Sequence, residues 1–404
     1  EIAPIYRYTS ITSPTTGYEL PDSFADGMYN ITFKKNDTGR TDILVNGYMV
    51  GNNVDQYGEG RAISEPSEYT IHDAVVEGGA ITVMTTDYSK GGTIAWVEVS
   101  KSPSIVDRKQ KVYILGDSLV AEYYGTYDES TVVGGARSGW GQQIGNFFTD
   151  DVEVVNMANS GQYAKGLLDT AFPGVMAMAQ PGDYFIIEAG YNDRSYSTRE
   201  EMKASIIEMV EQCEAKGIRP VLVSPNASAH DYRIGLQYSS TMNDAAAELQ
   251  TKYDDVIFVD LTKLSFDFMK STGISRETAV ESGNFYKVEK DANGVLTNIE
   301  VEEVEANGLL DMSGYNSDNF YYLWNSLIQP VEQTMSTEQV ILTYNLEKVG
   351  GDTLHSSYVA AMKWAEIVAQ GLYDNGAEFI NTSYEYTFTD TIGNDVTCKV
   401  EAAE

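Results

Sequence analysis

Short stretches in which hydrophobic and polar residues alternate fill the first hundred or so residues of the chain. Polar and apolar residues alternate within residues 28–33, and residues 43–45 form a brief apolar run. Turn-forming clusters, such as those at 77–79 and 89–92, separate these stretches. Alternation with a period of two is typical of half-buried β-strands, and many short strands at this spacing favour a sandwich. We therefore predict an all-β sandwich domain, jelly-roll-like, over residues 1–105.

From residue 111 onward, apolar runs alternate with segments of helical period. The buried strands predicted from these runs are 112–115, 152–155, 184–188, 220–224 and 256–259. Strands that alternate with helices predict a parallel sheet covered by helices on both faces. The best-marked helix follows the third strand, with Ser197 and Glu200 spaced for a capping box and Gly217 placed to end it.

Residues from about 265 to 345 interrupt this rhythm. A β-hairpin is predicted from the segments 285–290 and 297–304, and an aromatic group follows at 320–324. The α/β pattern returns at His355, followed by an amphipathic helix. A second hairpin, from 384–388 and 396–400, is predicted in the tail. The expected organisation is a sandwich at 1–105, a catalytic domain at 110–375 with the excursion at 265–345, and a tail at 376–404.

Charge narrows the set of partners. The 404 residues carry 60 acidic against 27 basic side chains, a formal net charge of −33. Nucleic acid and anionic membrane surfaces would repel such a chain, so we expect neither as a partner. No apolar run approaches the length of a membrane span, about 18–20 residues. Acidity of this size keeps a secreted protein soluble, and we expect secretion.

The candidate chemistry begins with Gly116-Asp117-Ser118-Leu119, which directly follows the first buried strand. A serine presented at a sharp turn after such a strand is how many α/β hydrolases position their nucleophile. Asp352-Thr353-Leu354-His355 supplies an acid and a base near the far end of the chain. Serine, histidine and aspartate are the three residue types that a serine esterase needs.

Two further loops follow predicted strands and fall at the same sheet edge as Ser118. The first contains Asn159-Ser160-Gly161, where a glycine lets a backbone N–H approach a ligand closely. The second is Gly190-Tyr191-Asn192-Asp193, whose asparagine side chain can donate a hydrogen bond. Both are candidates for stabilising an oxyanion.

These separated blocks resemble the SGNH (GDSL) hydrolase superfamily, whose four namesake residues map in order to Ser118, Gly161, Asn192 and His355. Further segments, among them 139–142, 258–262 and Ser356, resemble the rhamnogalacturonan acetylesterase branch. The resemblance covers about residues 111–265 and 348–373. It implies a flavodoxin-like α/β/α three-layer domain, a Ser118–His355–Asp352 triad, and an oxyanion hole formed by the Ser118 and Gly161 amides with Asn192. The chain departs from the branch at Asn159-Ser160-Gly161-Gln162, where glycine pairs and arginines are usual, and in the long excursion.

The expected function is a serine carbohydrate esterase that removes O-acetyl groups from a plant cell-wall polysaccharide: xylan, mannan or pectic rhamnogalacturonan. No cofactor and no metal are expected. Arg194 is a candidate for binding a substrate carboxylate, and Trp324 belongs either to a local core or to a substrate wall. Two alternatives stay open: a lipase or thioesterase of the same superfamily, and a non-catalytic carbohydrate-binding protein.

Overall fold

The structure is a computed structural model of the chain. It describes residues 4–12, 14–36, 40–54, 68–87, 93–102, 107–123, 138–226, 232–271, 285–290, 296–300, 320–322, 355–356, 358–389 and 395–402.

Two four-stranded antiparallel sheets form the first part of the chain. Their strands are β1 (Ile5–Tyr8), β2 (Tyr18–Glu19), β3 (Gly27–Lys35), β4 (Thr41–Val45), β5 (Tyr48–Val54), β6 (Glu68–Val76), β7 (Thr82–Asp87) and β8 (Ile94–Lys101). The order is β1-β8-β3-β6 in one sheet and β2-β7-β4-β5 in the other. Alternate residues of β3, among them Ile31 and Phe33, are completely buried between the sheets. This arrangement agrees with the all-β domain predicted here, which we call the β-sandwich domain.

A five-stranded parallel sheet follows. Its strands are β9 (Gln110–Leu115), β10 (Val152–Asn156), β11 (Tyr184–Glu188), β12 (Arg219–Val223) and β13 (Ile257–Val259). They lie in the order β10-β9-β11-β12-β13, and every neighbouring pair is parallel. Counted along the chain this order is 2-1-3-4-5, the doubly wound arrangement that flavodoxin uses. The direction of winding reverses between β9 and β11, and ligands bind at such a switch point.

Eight α-helices lie within the described residues. They are α1 (Trp140–Gln143), α2 (Ala164–Asp169), α3 (Phe172–Met178), α4 (Asp193–Tyr196), α5 (Arg199–Lys216), α6 (Tyr232–Gln250), α7 (Leu261–Ser271) and α8 (Tyr358–Asp374). The capping box of α5 is formed by Thr198 and Glu201, so the predicted pair of Ser197 and Glu200 was wrong by one residue. The Ser197 hydroxyl instead lies within 3.3 Å of Asp193 atoms. Gly217 ends α5 in the left-handed conformation, as predicted. None of the described helices is long and apolar enough to cross a bilayer.

Three more strands lie in the predicted excursion. β14 (Phe285–Lys290) pairs antiparallel with β15 (Leu296–Glu300), which gives the expected hairpin over the described residues. β16 (Phe320–Tyr322), from the aromatic group, pairs with the other edge of β14. In the tail, β17 (Tyr386–Thr389) and β18 (Asp395–Cys398) form the second hairpin.

Strand β9 is buried on both faces, as a central parallel strand should be. Val112 and Ile114 face a core cluster that also holds residues of α1 and α8. Tyr113 and Leu115 face the opposite way, into a cluster shared with α2, α3, α5 and α6. That second cluster continues without a break into the interior of the β-sandwich domain. The two domains therefore share one hydrophobic core.

Contacts between the domains are close. A Cβ atom added at Gly174 in α3 would lie 1.7 Å from the backbone oxygen of Met49 in β5. Lys111 in β9 is buried, pairs with Asp73 at 3.1 Å and donates to the carbonyl of His72 at 3.0 Å. Buried charge at an interface is tolerated only when it is paired in this way.

The first prediction concerns the contact at Gly174. We expect Gly174→Ala to lower the free energy of unfolding by about 1–3 kcal/mol, because the methyl group forces the domains apart. Urea denaturation measures the change. Gly145→Ala is the matched control, since its added Cβ would meet Val154 at an ordinary 3.7 Å. Equal stability of the two variants would contradict the prediction.

Candidate active site

Ser118 lies in a tight turn that directly follows β9. The turn requires glycine at position 116, because a Cβ there would lie 2.6 Å from a methyl group of Val120. The Asp117 carboxylate accepts a hydrogen bond from the Leu119 amide at 2.8 Å, as in an Asx turn. Ser118 itself is 7% exposed. The sequence thus places the serine at the carboxyl end of a buried strand, next to the switch point of the sheet.

The structure brings His355 to this serine across 237 positions of sequence. Its Nε2 atom lies 2.8 Å from Ser118 Oγ, which is hydrogen-bonding distance. The next residue, Ser356, is buried and anchors the histidine segment. Its hydroxyl accepts a hydrogen bond from the Trp364 indole at 3.1 Å, and its carbonyl accepts one from the Ser138 amide at 3.1 Å. The predicted nucleophile and its predicted base are therefore in hydrogen-bonding contact.

Gly161 occupies a turn beside the serine loop. The Asn159 amide donates to the Gly116 carbonyl at 3.0 Å, and the Asn159 carbonyl accepts from the Gln162 amide at 3.2 Å. Gly161 has a φ of 78°, the value that the third position of a type II turn requires. Among the described residues, no atom lies within 4 Å of a Cβ built at Gly161, so backbone conformation rather than space calls for glycine there.

Asn192 joins the two loops through its side-chain amide. Its Nδ2 atom donates to Asp117 at 3.1 Å and to the Gln162 carbonyl at 3.0 Å. A side-chain amide nitrogen carries two hydrogens, so both are engaged by the neighbours of Ser118 and of Gly161. An oxyanion would have to replace one of these acceptors. The assignment of Asn192, with the Ser118 and Gly161 amides, to the oxyanion hole stays a prediction.

Three other predicted site residues have different outcomes. Asp352 and Trp324 lie outside the described residues. Arg194 lies just after the loop that follows β11. Its guanidinium lies 4.0 Å from the centre of the Tyr191 ring, and one of its amino groups donates to the Tyr191 hydroxyl at 3.0 Å. Its assignment to substrate binding stays a prediction.

Asp193 has a structural role that was missed in the sequence. Its buried carboxylate accepts hydrogen bonds from the Ala164 amide, at the start of α2, and from the Gly190 amide, both at 3.0 Å. The side chain therefore ties the loop after β11 to the helix that follows Gly161. The only signal in the sequence was an aspartate directly after the asparagine of the block.

Three buried carboxyl groups, those of Asp117, Glu188 and Asp193, lie in or near the loop that carries Ser118. Burial raises the pKa of Asp117 to about 7, and the pKa of Asp193 is raised for the same reason. Glu188, at the end of β11, is completely buried, and neither of its carboxyl oxygens has a hydrogen-bond partner among the described residues. Burial, followed by repulsion from Asp117 and Asp193, raises its pKa well above the usual range. Burial therefore favours the protonated form of Glu188 in the folded protein.

A serine in contact with a histidine, at the carboxyl edge of a parallel sheet, is the arrangement of an α/β serine hydrolase. The sequence model of the GDSL-like lipase/acylhydrolase family matches residues 112–320, just over half of the chain. This chain therefore belongs to that family, within the SGNH hydrolase superfamily, and is a carboxylic ester hydrolase.

Two relatives come from Bacillus subtilis strain 168. An uncharacterized esterase, YxiM, is 25% identical over 313 residues, which cover 75% of this chain and 77% of YxiM. YesY, named a probable rhamnogalacturonan acetylesterase, is 27% identical over 176 residues, which cover 40% of this chain and 75% of YesY. The crystal structure of YxiM superimposes with a TM-score of 0.59 at 18% identity, covering 93% of this chain and 89% of that one. That coverage shows a similar fold across both domains.

The second prediction tests the buried carboxyl at position 188. Its unfolded pKa is about 4.3, so the folded state binds more protons than the unfolded state above that pH. The contribution of Glu188 to the stability of the wild type should therefore fall as pH rises from about 4 toward the folded pKa. Residue 188 cannot titrate in Glu188→Gln. We therefore expect the free energy of unfolding of this variant, taken relative to that of the wild type, to rise by at least about 1 kcal/mol from pH 5 to pH 8. Urea denaturation at both pH values measures this.

The control for this experiment is Glu208→Gln, since Glu208 is exposed on α5. It should leave the pH dependence of unfolding unchanged. If Glu188→Gln keeps the pH dependence of the wild type, the carboxyl at position 188 has an ordinary pKa and the prediction fails.

Proposed function

We propose that this protein is a secreted serine esterase that removes O-acetyl groups from plant cell-wall polysaccharides such as xylan, mannan or pectic rhamnogalacturonan. The observation that carries the proposal is the 2.8 Å contact between His355 Nε2 and Ser118 Oγ. The choice of an acetylated carbohydrate is supported by the relative YesY, which is named a probable rhamnogalacturonan acetylesterase.

Acylation starts at the serine. Ser118 Oγ forms a bond to the acetyl carbonyl carbon while its proton passes to His355 Nε2. The carbonyl oxygen becomes an oxyanion in the tetrahedral intermediate. His355 then donates that proton to the sugar oxygen, the carbon–oxygen bond to the sugar breaks, and the deacetylated polysaccharide leaves. An acetyl group remains on Ser118.

Deacylation repeats these steps with water as the nucleophile. His355 takes a proton from the water, whose oxygen adds to the acetyl carbonyl. The bond to Ser118 Oγ breaks, and the proton returns to the serine oxygen. Acetate is released and the enzyme is regenerated. In this proposal Asp352 orients the imidazole and stabilises its charged form.

The oxyanion would be stabilised by the backbone amides of Ser118 and Gly161 and by the side chain of Asn192. Each donor of this kind is worth about 3–4 kcal/mol in the transition state. The turn at Gly161 supports this assignment, because it fixes the loop that carries the Gly161 amide. The two hydrogen bonds of Asn192 support it by holding that side chain between the loops of Ser118 and Gly161, and one of them has to give way to the oxyanion.

The β-sandwich domain is proposed to be a jelly roll and to serve as a scaffold or a carbohydrate-contacting module. Among its strands, every connection except β4 to β5 crosses from one sheet to the other, which supports a jelly-roll path.

Charge bears on the choice of polysaccharide. A protein of net charge −33 is repelled by chains rich in polygalacturonate, although salt screens this beyond about 8–10 Å. Neutral xylan or mannan is favoured on this ground. The name of YesY favours rhamnogalacturonan, so a panel of all three is the informative substrate set.

The third prediction is acetate release from acetylated xylan, mannan or rhamnogalacturonan by the purified protein. Ser118→Ala and His355→Ala should each lower kcat by at least about 10³-fold, because the nucleophile and its base act as one unit. Acetate is measured enzymatically in the supernatant. Ser383→Ala, which changes an exposed serine in the tail, should keep full activity.

Three results would count against the proposal. Release of acetate by Ser118→Ala at the wild-type rate would show that Ser118 is not the nucleophile. A p-nitrophenyl ester series in which long acyl chains are turned over faster than acetate would indicate a lipase or thioesterase instead. Sugar binding without turnover of any ester would indicate a non-catalytic carbohydrate-binding protein.

A further inference from the structure

Two side chains of the β-sandwich domain reach the turn that carries Gly161. Asn159, the first residue of that turn, is 1% exposed, and its side-chain amide is bonded at both ends. Its Oδ1 atom accepts a hydrogen bond from an amino group of Arg40 at 2.9 Å. Its Nδ2 atom donates to Asn52 Oδ1 at 2.8 Å. Both partners lie more than a hundred positions earlier in the chain and in the other domain.

The chain of hydrogen bonds continues back to the same loop. The Nδ2 atom of Asn52, itself a buried residue, donates to the carbonyl of Met157 at 2.7 Å. The loop after β10 is therefore held at two points, by the side chain of Asn159 and by the backbone of Met157. From the other side, the Gly116 carbonyl beside the nucleophile accepts the Asn159 amide at 3.0 Å.

Arg40 fixes the donor-to-acceptor direction of this series of hydrogen bonds. A guanidinium group can only donate, so the atom of Asn159 that faces it must be the carbonyl oxygen. The Asn159 amino group then faces Asn52, which must present its own carbonyl oxygen. Consequently the Asn52 amino group faces the Met157 carbonyl. One charged donor at the domain boundary thus fixes the orientation of both amides, and hydrogen bonds in such a chain strengthen one another.

We propose that Arg40 and Asn52 are positioning residues of the active site, and that they hold the turn of Gly161 where its amide meets the oxyanion. Donors in an oxyanion hole work because they are preorganised, so a small displacement of one backbone amide costs rate rather than substrate binding. The β-sandwich domain is then a structural part of the active site. This inference rests on the ester hydrolysis of the proposed function.

An ordinary stabilising contact between domains is the competing explanation, and the chain offers a matched control for it. The ion pair of Lys111 with Asp73 joins the same two domains, but Lys111 is at the amino end of β9. That position is about 13 Å along the strand from the end that leads to Ser118. Asp73→Asn therefore weakens the domain interface without touching the Gly161 turn.

The fourth prediction compares Arg40→Ala, Arg40→Lys, Asn52→Ala and Asp73→Asn with the wild type, using p-nitrophenyl acetate. For Arg40→Ala and Asn52→Ala we expect kcat to fall by about 10–100-fold, less than the loss of a whole oxyanion donor, with KM changed by less than about twofold. Arg40→Lys keeps a donor but not its planar geometry, and kcat should lie between the wild type and Arg40→Ala. Asp73→Asn should lower the melting temperature and keep the wild-type kcat.

The experiment distinguishes failure of the proposed function from failure of the positioning role. A wild type that hydrolyses no ester contradicts the proposed function. An active wild type with Arg40→Ala and Asn52→Ala within twofold of its kcat overturns the positioning role. Asp73→Asn losing as much kcat as they do overturns it as well, because any weakening of the interface would then suffice. Should Asn52→Ala fail to fold, Arg40→Ala and Arg40→Lys decide the matter, since Arg40 is only half-buried.

Discussion

The burial of strand β9 on both faces is the constraint on which the active site depends. One face of the strand, with Val112 and Ile114, is covered by α8, the helix that His355 precedes. The other face, with Tyr113 and Leu115, opens into the core shared with the β-sandwich domain. Hydrophobic packing on one side therefore places His355 beside Ser118. Packing on the other side delivers Arg40 and Asn52 to the turn of Gly161.

The three buried carboxyl groups of the site differ in how far hydrogen bonds offset the free-energy cost of burying them. Asp117 and Asp193 each hold backbone amides in place, so the free energy lost on burying them is offset by fixing the loops of Ser118 and Gly161. Glu188 has no such bonds among the described residues and lies beside both aspartates. Local destabilisation of this kind is expected where a sequence is selected for a site rather than for stability alone.

Much of the fold and of the site could be predicted because the signals were local. The buried strands are short apolar runs, and the site blocks follow them directly. The predicted residues of the capping box were wrong because Ser197–Glu200 and Thr198–Glu201 both fit the same spacing. Only the contact of Ser197 with Asp193 decides between them. The contacts of Arg40 and Asn52 could not be predicted from the sequence. Each is a single polar residue in or beside a strand, and its partner lies in a loop of the other domain.

A domain boundary in sequence is therefore not a boundary in function here. The change of pattern near residue 105 separates two folding motifs, and it suggests a module that could be exchanged. The packing of Gly174 against Met49 and the shared core make such an exchange costly. The hydrogen bonds from Arg40 to Asn159 and from Asn159 to Asn52 add a chemical reason, because the orientation of the Asn159 side-chain amide is set by a charge in the other domain. A catalytic domain cut free of its β-sandwich would keep Ser118 and His355 but lose Arg40 and Asn52, the side chains that orient Asn159 in the turn of Gly161.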